Sequence, residues 1–157
     1  MSPTTACIVG VGESDDYGAT PNHSALALQS QASWNALKDA GLERGDIDGL
    51  ITQTGGRMAA INFAEYFGIM PNFVESTFVG GASNVAHIDI AAAAINAGIC
   101  NTVLVSYGTT PRQGEYVTMV PEYADDFERP FGVCFPVGLY ALCLQRHIHQ
   151  YGTKPEQ

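Results

Sequence analysis

The residues best suited to chemistry stand together in Phe78-Val79-Gly80-Gly81-Ala82-Ser83-Asn84, where an apolar run meets two glycines and then a helix-forming stretch. The first turn of a helix carries backbone N–H groups without intrahelical partners and a partial positive charge. A carbonyl oxygen or oxyanion at such a corner is stabilised, and a thiol there ionises more readily. Gly80, Gly81, Ala82 and Asn84 are therefore the candidate oxyanion and substrate pocket. Ser83 and His87 are the candidate catalytic side chains, because residues four apart share one face of a helix. A structural alternative stands beside this: two glycines let a strand turn into a packed helix, Ser83 caps it and His87 is a hydrogen-bonded packing residue.

Other constellations offer less. Gly10-Val11-Gly12 follows an apolar run as a dinucleotide loop would, but Asp15 stands where the third glycine belongs, and Asp15 and Asp16 would repel a pyrophosphate. Gly81-Ala82-Ser83-Asn84-Val85 lacks the final glycine of a hydrolase nucleophile elbow. His147 and His149, two apart on a predicted helix, point in nearly opposite directions and suit no shared metal. The acids in Glu122-Tyr123-Ala124-Asp125-Asp126 read as solvated, and Tyr116 and Tyr123 as possible substrate contacts. Cys7, Cys100 and Cys143 read as core residues, and Cys134 as an inert thiol or a substitute nucleophile.

The elements that must position the corner follow from periodicity. Ala6 to Gly12 reads as a buried strand. Ser24 caps a helix to about Ala40 with Ala25, Leu28, Ala32 and Ala36 on one stripe, and Gly41 stops it. Ile47 to Thr52 is a second strand, and Met58 to Phe67 a second helix stopped by Gly68. Val74 to Val79 is a third strand. A helix from Ser83 to Ala97 has an apolar stripe of Val85, Ile88, Ala92 and Ile95, and alanines elsewhere that suit burial between two layers. Thr102 to Tyr107 is a continuous apolar strand of the parallel kind. Strands alternating with helices imply an α/β fold with a mostly parallel sheet. Residues 109–135, with three prolines, break that rhythm, and a last helix runs from Pro136 to Tyr151 with Val137, Ala141, Leu144, Ile148 and Tyr151 at helical spacing. Thr153-Lys154-Pro155-Glu156 has the form of a capping box one residue before the chain stops, so the chain reads as cut short.

Composition bounds the function. Apolar residues make up 46% and charged residues 15%, a globular balance. With 16 acids against 7 bases and a net charge of −9, no basic footprint for nucleic acid exists. No apolar run is long enough to span a membrane, and no basic segment leads into an apolar one as in a signal peptide. Four cysteines without CxxC spacing are the reduced thiols of a cytoplasmic protein.

Gly81-Ala82-Ser83-Asn84 resembles the motif by which thiolases open a buried, alanine-rich helix with a nucleophilic cysteine, with Gly81 in the cysteine position. Val9-Gly10-Val11-Gly12-Glu13, Asp39-Ala40-Gly41-Leu42, Asp46-Ile47-Asp48-Gly49-Leu50, Ala97-Gly98, Val103-Leu104-Val105 and Tyr151-Gly152-Thr153 resemble segments of the sterol-carrier-protein thiolase-like and lipid-transfer-protein branch, in the same order. The resemblance implies a thiolase-like fold: residues 1–108 as the first βα half with a buried central helix, and 109–157 as the start of its loop insertion. It implies coenzyme A thioesters as substrates and no tightly bound cofactor. It also implies a homodimer formed through Val74 to Val79, or a heteromer with a DUF35 partner of oligonucleotide-binding-like fold. Gly81 cannot carry an acyl group. Relatives without the cysteine resemble aldolases that cleave β-hydroxyacyl-CoA, steroid side chains included. The alternatives are a non-catalytic subunit, and an acetyl-CoA acetyltransferase that uses another cysteine such as Cys134.

Overall fold

The computed structural model describes residues 6–53, 58–110, 129–132, 137–154 and 156. Residues 1–115 form one compact unit and residues 116–157 another.

The first unit is an α/β layer. Helix α1 spans Ala25–Ala40, with the Ser24 hydroxyl accepting the Ala27 N–H at 3.2 Å and Gly41 ending it at φ +68°. Strand β1 is Gly49–Thr52, helix α2 Ala59–Phe67, strand β2 Phe73–Glu75, helix α3 Ser83–Asn96 and strand β3 Val103–Ser106. The strands are shorter than their apolar runs, and all pair in parallel in the order β2-β1-β3. Central β1 is wholly buried, as a strand covered on both faces must be. Leu50 and Leu104 face Leu37 of α1 and Phe63 and Phe67 of α2, whose rings stack with centroids 5.3 Å apart. Helix α3 packs on β1 and β3.

Three expectations give way. Ala6–Gly12 is extended but pairs with no strand among the described residues, and Ile8, Val9 and Val11 are 64–70% exposed. It lies instead along α1. A Cβ on Gly10 would sit 2.8 Å from Ala40 Cβ, and one on Gly12 2.6 Å from the Ala32 carbonyl, so both glycines serve a close approach to a helix. Helix α1 presents Leu28, Gln29, Ser33 and Leu37 to the core; of the expected stripe only Leu28 is buried, and Ala32 and Ala36, with Ala40, instead meet that segment. On α3 the buried positions are Ser83, His87, Ala91 and Ala94, while Val85 is 76% and Ile88 44% exposed. The small side chains face the sheet because they let the helix axis approach it closely. Val85 and Ile88 point away from it, and Val85 is largely uncovered among the described residues.

In the second unit, a short 3-10 turn covers Arg129–Phe131 and helix α4 spans Val137–Tyr151, closed by Gly152 at φ +67°. No residue of α4 is buried among the described residues, so Val137, Leu144 and Tyr151 of the expected stripe stand exposed. Cys143, on that helix, and Cys7 are exposed too, because the apolar surfaces around them are uncovered; Cys100 alone of the described cysteines is in the core. Cys134, Tyr116, Tyr123 and the acids at 122, 125 and 126 lie outside the described residues.

Candidate functional site

Strand β2 ends at Glu75, and residues 76–82 carry the chain from the sheet to α3. Gly80 takes φ +78°, a conformation that a side chain disfavours, and this turns the chain onto the helix. Gly81 lies outside that left-handed range, and a Cβ built on it would meet nothing within 4 Å. The corner is thus open at the position where the resemblance places a nucleophile.

Ser83 is the first residue of α3, and the cap position belongs to Ala82, which has no side chain to accept the first-turn amides. The Ser83 hydroxyl accepts the Val79 N–H at 2.9 Å and donates to the Gly80 carbonyl at 2.7 Å. His87, one turn on, donates from Nε2 to the Thr77 carbonyl at 2.8 Å. Both side chains are fully buried, while Gly81, Ala82 and Asn84 are exposed. The structure therefore brings all six sequence-selected residues to one corner, with Ser83 and His87 beneath it and the glycines on its open side. An uncapped helix end favours a carbonyl oxygen or an enolate approaching from that side.

Glu75 and Thr77 complete the frame and were not selected from the sequence. One Glu75 carboxylate oxygen accepts the Ser76 N–H at 2.8 Å and the Thr77 hydroxyl at 2.6 Å. The Thr77 hydroxyl, then the Ser76 amide, hold that carboxyl below its ordinary value. The Glu-Ser-Thr sequence, with an acid followed by two local donors, is the signal that could have found this turn.

Elsewhere, Val11, Gly12, Glu13, Ser14, Asp15, Tyr17 and Asn35 line an open cavity of about 810 Å³. Asn35 Nδ2 donates to the Glu13 carbonyl at 2.8 Å and to Asp15 at 2.9 Å. Its acidic lining repels phosphate, so it suits neither a dinucleotide nor coenzyme A. His147 Nε2 lies 2.9 Å from the Thr153 hydroxyl, and its ring 4.9 Å from that of Tyr151. No described group of His, Cys, Asp or Glu has the arrangement of a metal site.

No family model matches the chain. A steroid side-chain-cleaving aldolase of Thermomonospora curvata is 29% identical over 165 residues, which cover 98% of this chain and 42% of that protein. A 17-hydroxy-3-oxo-4-pregnene-20-carboxyl-CoA lyase of Mycobacterium tuberculosis is 31% identical over 159 residues, 94% of this chain and 41% of that one. An SCP2-thiolase-like protein of Mycobacterium smegmatis shares the fold, with a TM-score of 0.51 at 24% identity over 62% of this chain and 22% of its own. The Ltp2-ChsH2(DUF35) aldolase superposes with a TM-score of 0.76 at 30% identity over 98% of this chain and 40% of its own.

The chain has a thiolase-like fold and is similar to the steroid-aldolase-like branch of the thiolase superfamily. It spans about two fifths of the length of the curated relatives that it matches. The parallel β2-β1-β3 sheet and the helix that follows β2 are the thiolase-like elements that it contains. Among the described residues, no helix is long and apolar enough to cross a membrane.

Proposed function

We propose that this chain is part of a thiolase-fold C–C lyase that cleaves a β-hydroxyacyl-CoA with a bulky or steroid-like chain by a retro-aldol reaction. One observation carries the proposal: an uncapped helix end beside Gly81, which has open space and no nucleophile, in a chain similar to side-chain-cleaving steroid enzymes. Ordinary thiolysis needs a thiol that becomes acylated, and Gly81 has none.

Retro-aldol cleavage needs none. A base removes the proton of the β-hydroxyl, and the Cα–Cβ bond breaks. The oxygen's electron pair forms the carbonyl of the released aldehyde or ketone. The pair from the broken bond passes into the enolate of the thioester, which is then protonated at Cα. The amino end of α3 opposes the charge that gathers on the enolate oxygen. The substrate is the coenzyme A thioester itself, with no tightly bound cofactor. A DUF35-type partner is proposed on the likeness to the Ltp2-ChsH2(DUF35) aldolase. The test is incubation of the full-length protein and such a partner with a β-hydroxyacyl-CoA. Release of an aldehyde or ketone with the shortened thioester is expected, and intact substrate rejects the proposal.

A second reading has its own observation. Both polar side chains beneath the corner, Ser83 and His87, are committed to backbone groups. This favours a non-catalytic subunit that binds lipid or scaffolds an active relative. Turnover by the purified full-length protein alone would remove it.

A further inference from the structure

The corner has little grip of its own. Gly80 and Gly81 have no side chains and Ala82 offers no hydrogen-bonding one, so two glycines leave the backbone many conformations to lose. Yet the Thr77 carbonyl, the Val79 N–H and the Gly80 carbonyl are all held by side chains of α3. Thr77 is gripped at both ends, its hydroxyl by Glu75 and its carbonyl by His87.

The direction of these bonds separates positioning from proton transfer. A ring nitrogen bonded to a carbonyl must carry hydrogen, so a neutral His87 keeps its basic lone pair on Nδ1. That atom is buried and has no partner among the described residues, and none of them links it to the corner's open side. A general base must reach the proton that it removes, directly or through one water.

We propose that His87 is a positioning residue. Through the Thr77 carbonyl it fixes the segment leading to Gly80 and Gly81, so that the amino end of α3 faces the reacting carbonyl in one geometry. The kinetic consequence rests on the lyase reading; the geometric one does not. Glutamine places its amide nitrogen near the position of Nε2, whereas leucine keeps the bulk without a donor.

The test compares His87→Leu and His87→Gln in the full-length protein with its partner. If His87→Leu fails to fold, His87→Asn, whose amide stops short of Thr77, replaces it. The variant without the donor is expected to lose about tenfold or more in kcat with KM nearly unchanged, and His87→Gln to recover most of the loss. Equal kcat in all three, or no recovery with glutamine, overturns the proposal. A second arm needs no turnover. Gly81→Cys, placed where there is room for a side chain, reports the corner through its rate of alkylation against pH, read on the peptide containing residue 81. Adding His87→Leu is expected to move that profile to higher pH, and His87→Gln to restore it; coincident profiles overturn the proposal. If the wild-type protein turns over no substrate, the lyase reading falls while this arm still decides the role of His87.

Discussion

Asp48 and Asn101, 53 positions apart, are tied by three hydrogen bonds of 2.9 Å, two from the Asn101 backbone N–H and one from its side-chain amide. The Thr102 N–H adds a fourth at 2.8 Å, so one carboxylate joins the entry of β1 to the turn before β3. Burial pushes this carboxyl upward, but the backbone amides of Thr102 and Asn101 and the Asn101 side chain outweigh it, and the net shift is downward.

A carboxyl lowered in the folded state stabilises the protein above its unfolded pKa, and that contribution is lost as pH falls through the folded value. Stability should therefore drop in acid, from about pH 4 downward. Asp48→Ala should cost about 1–2 kcal/mol at neutral pH, since charge-assisted bonds to a partly exposed carboxylate are lost. Denaturant midpoints at several pH values check this. An Asp48→Ala curve parallel to wild type in acid would refute it.

The two corner glycines should respond in opposite ways. Gly80, at φ +78°, should lose about 1–2 kcal/mol on substitution by alanine. Gly81→Ala should be neutral or stabilise by up to about 1 kcal/mol, because its Cβ meets nothing and the unfolded chain loses freedom. Paired thermal unfolding curves distinguish the two.

Gly12→Ala should destabilise by about 1–3 kcal/mol, because the added Cβ would press on the α1 backbone at Ala32, Asn35 and Ala36. Limited proteolysis should then release the segment before residue 13 faster than in the wild type.

Gln29 is fully buried and its amide donates to Thr52 at 2.9 Å and to Ser106 at 2.7 Å, joining the last residues of two paired strands. Gln29→Leu should cost about 1–3 kcal/mol, for the two buried hydrogen bonds that it removes. Amide hydrogen exchange at the ends of β1 and β3 should quicken with it.

Local rules made much of the fold readable. Gly41, Gly68, Gly98 and Gly152 each follow a helical pattern, and each has positive φ. The α/β alternation likewise implied the parallel sheet that pairs β1 with β2 and β3. At the corner, the glycine turn into a helix was legible from Gly80 to Asn84. The strand expected to reach Val79 ends at Glu75, because residues 76–79 bond to side chains of their own turn and of α3 instead of to the sheet. The local bonds of Glu75 and Thr77 were not legible, because their residue types recur in ordinary turns.

What the sequence by itself determined is where the helices begin and stop, since caps and backbone sterics act within a few residues, whereas strand ends depend on the partners that pair with them. Only the tertiary structure decided which way each face points. Ser83, His87, Ala91 and Ala94 turn toward the sheet and Val85 and Ile88 away from it, and Gly10 and Gly12 meet a helix. Periodicity states which residues share a face, but the neighbour that a face meets is chosen by packing between segments far apart in the chain.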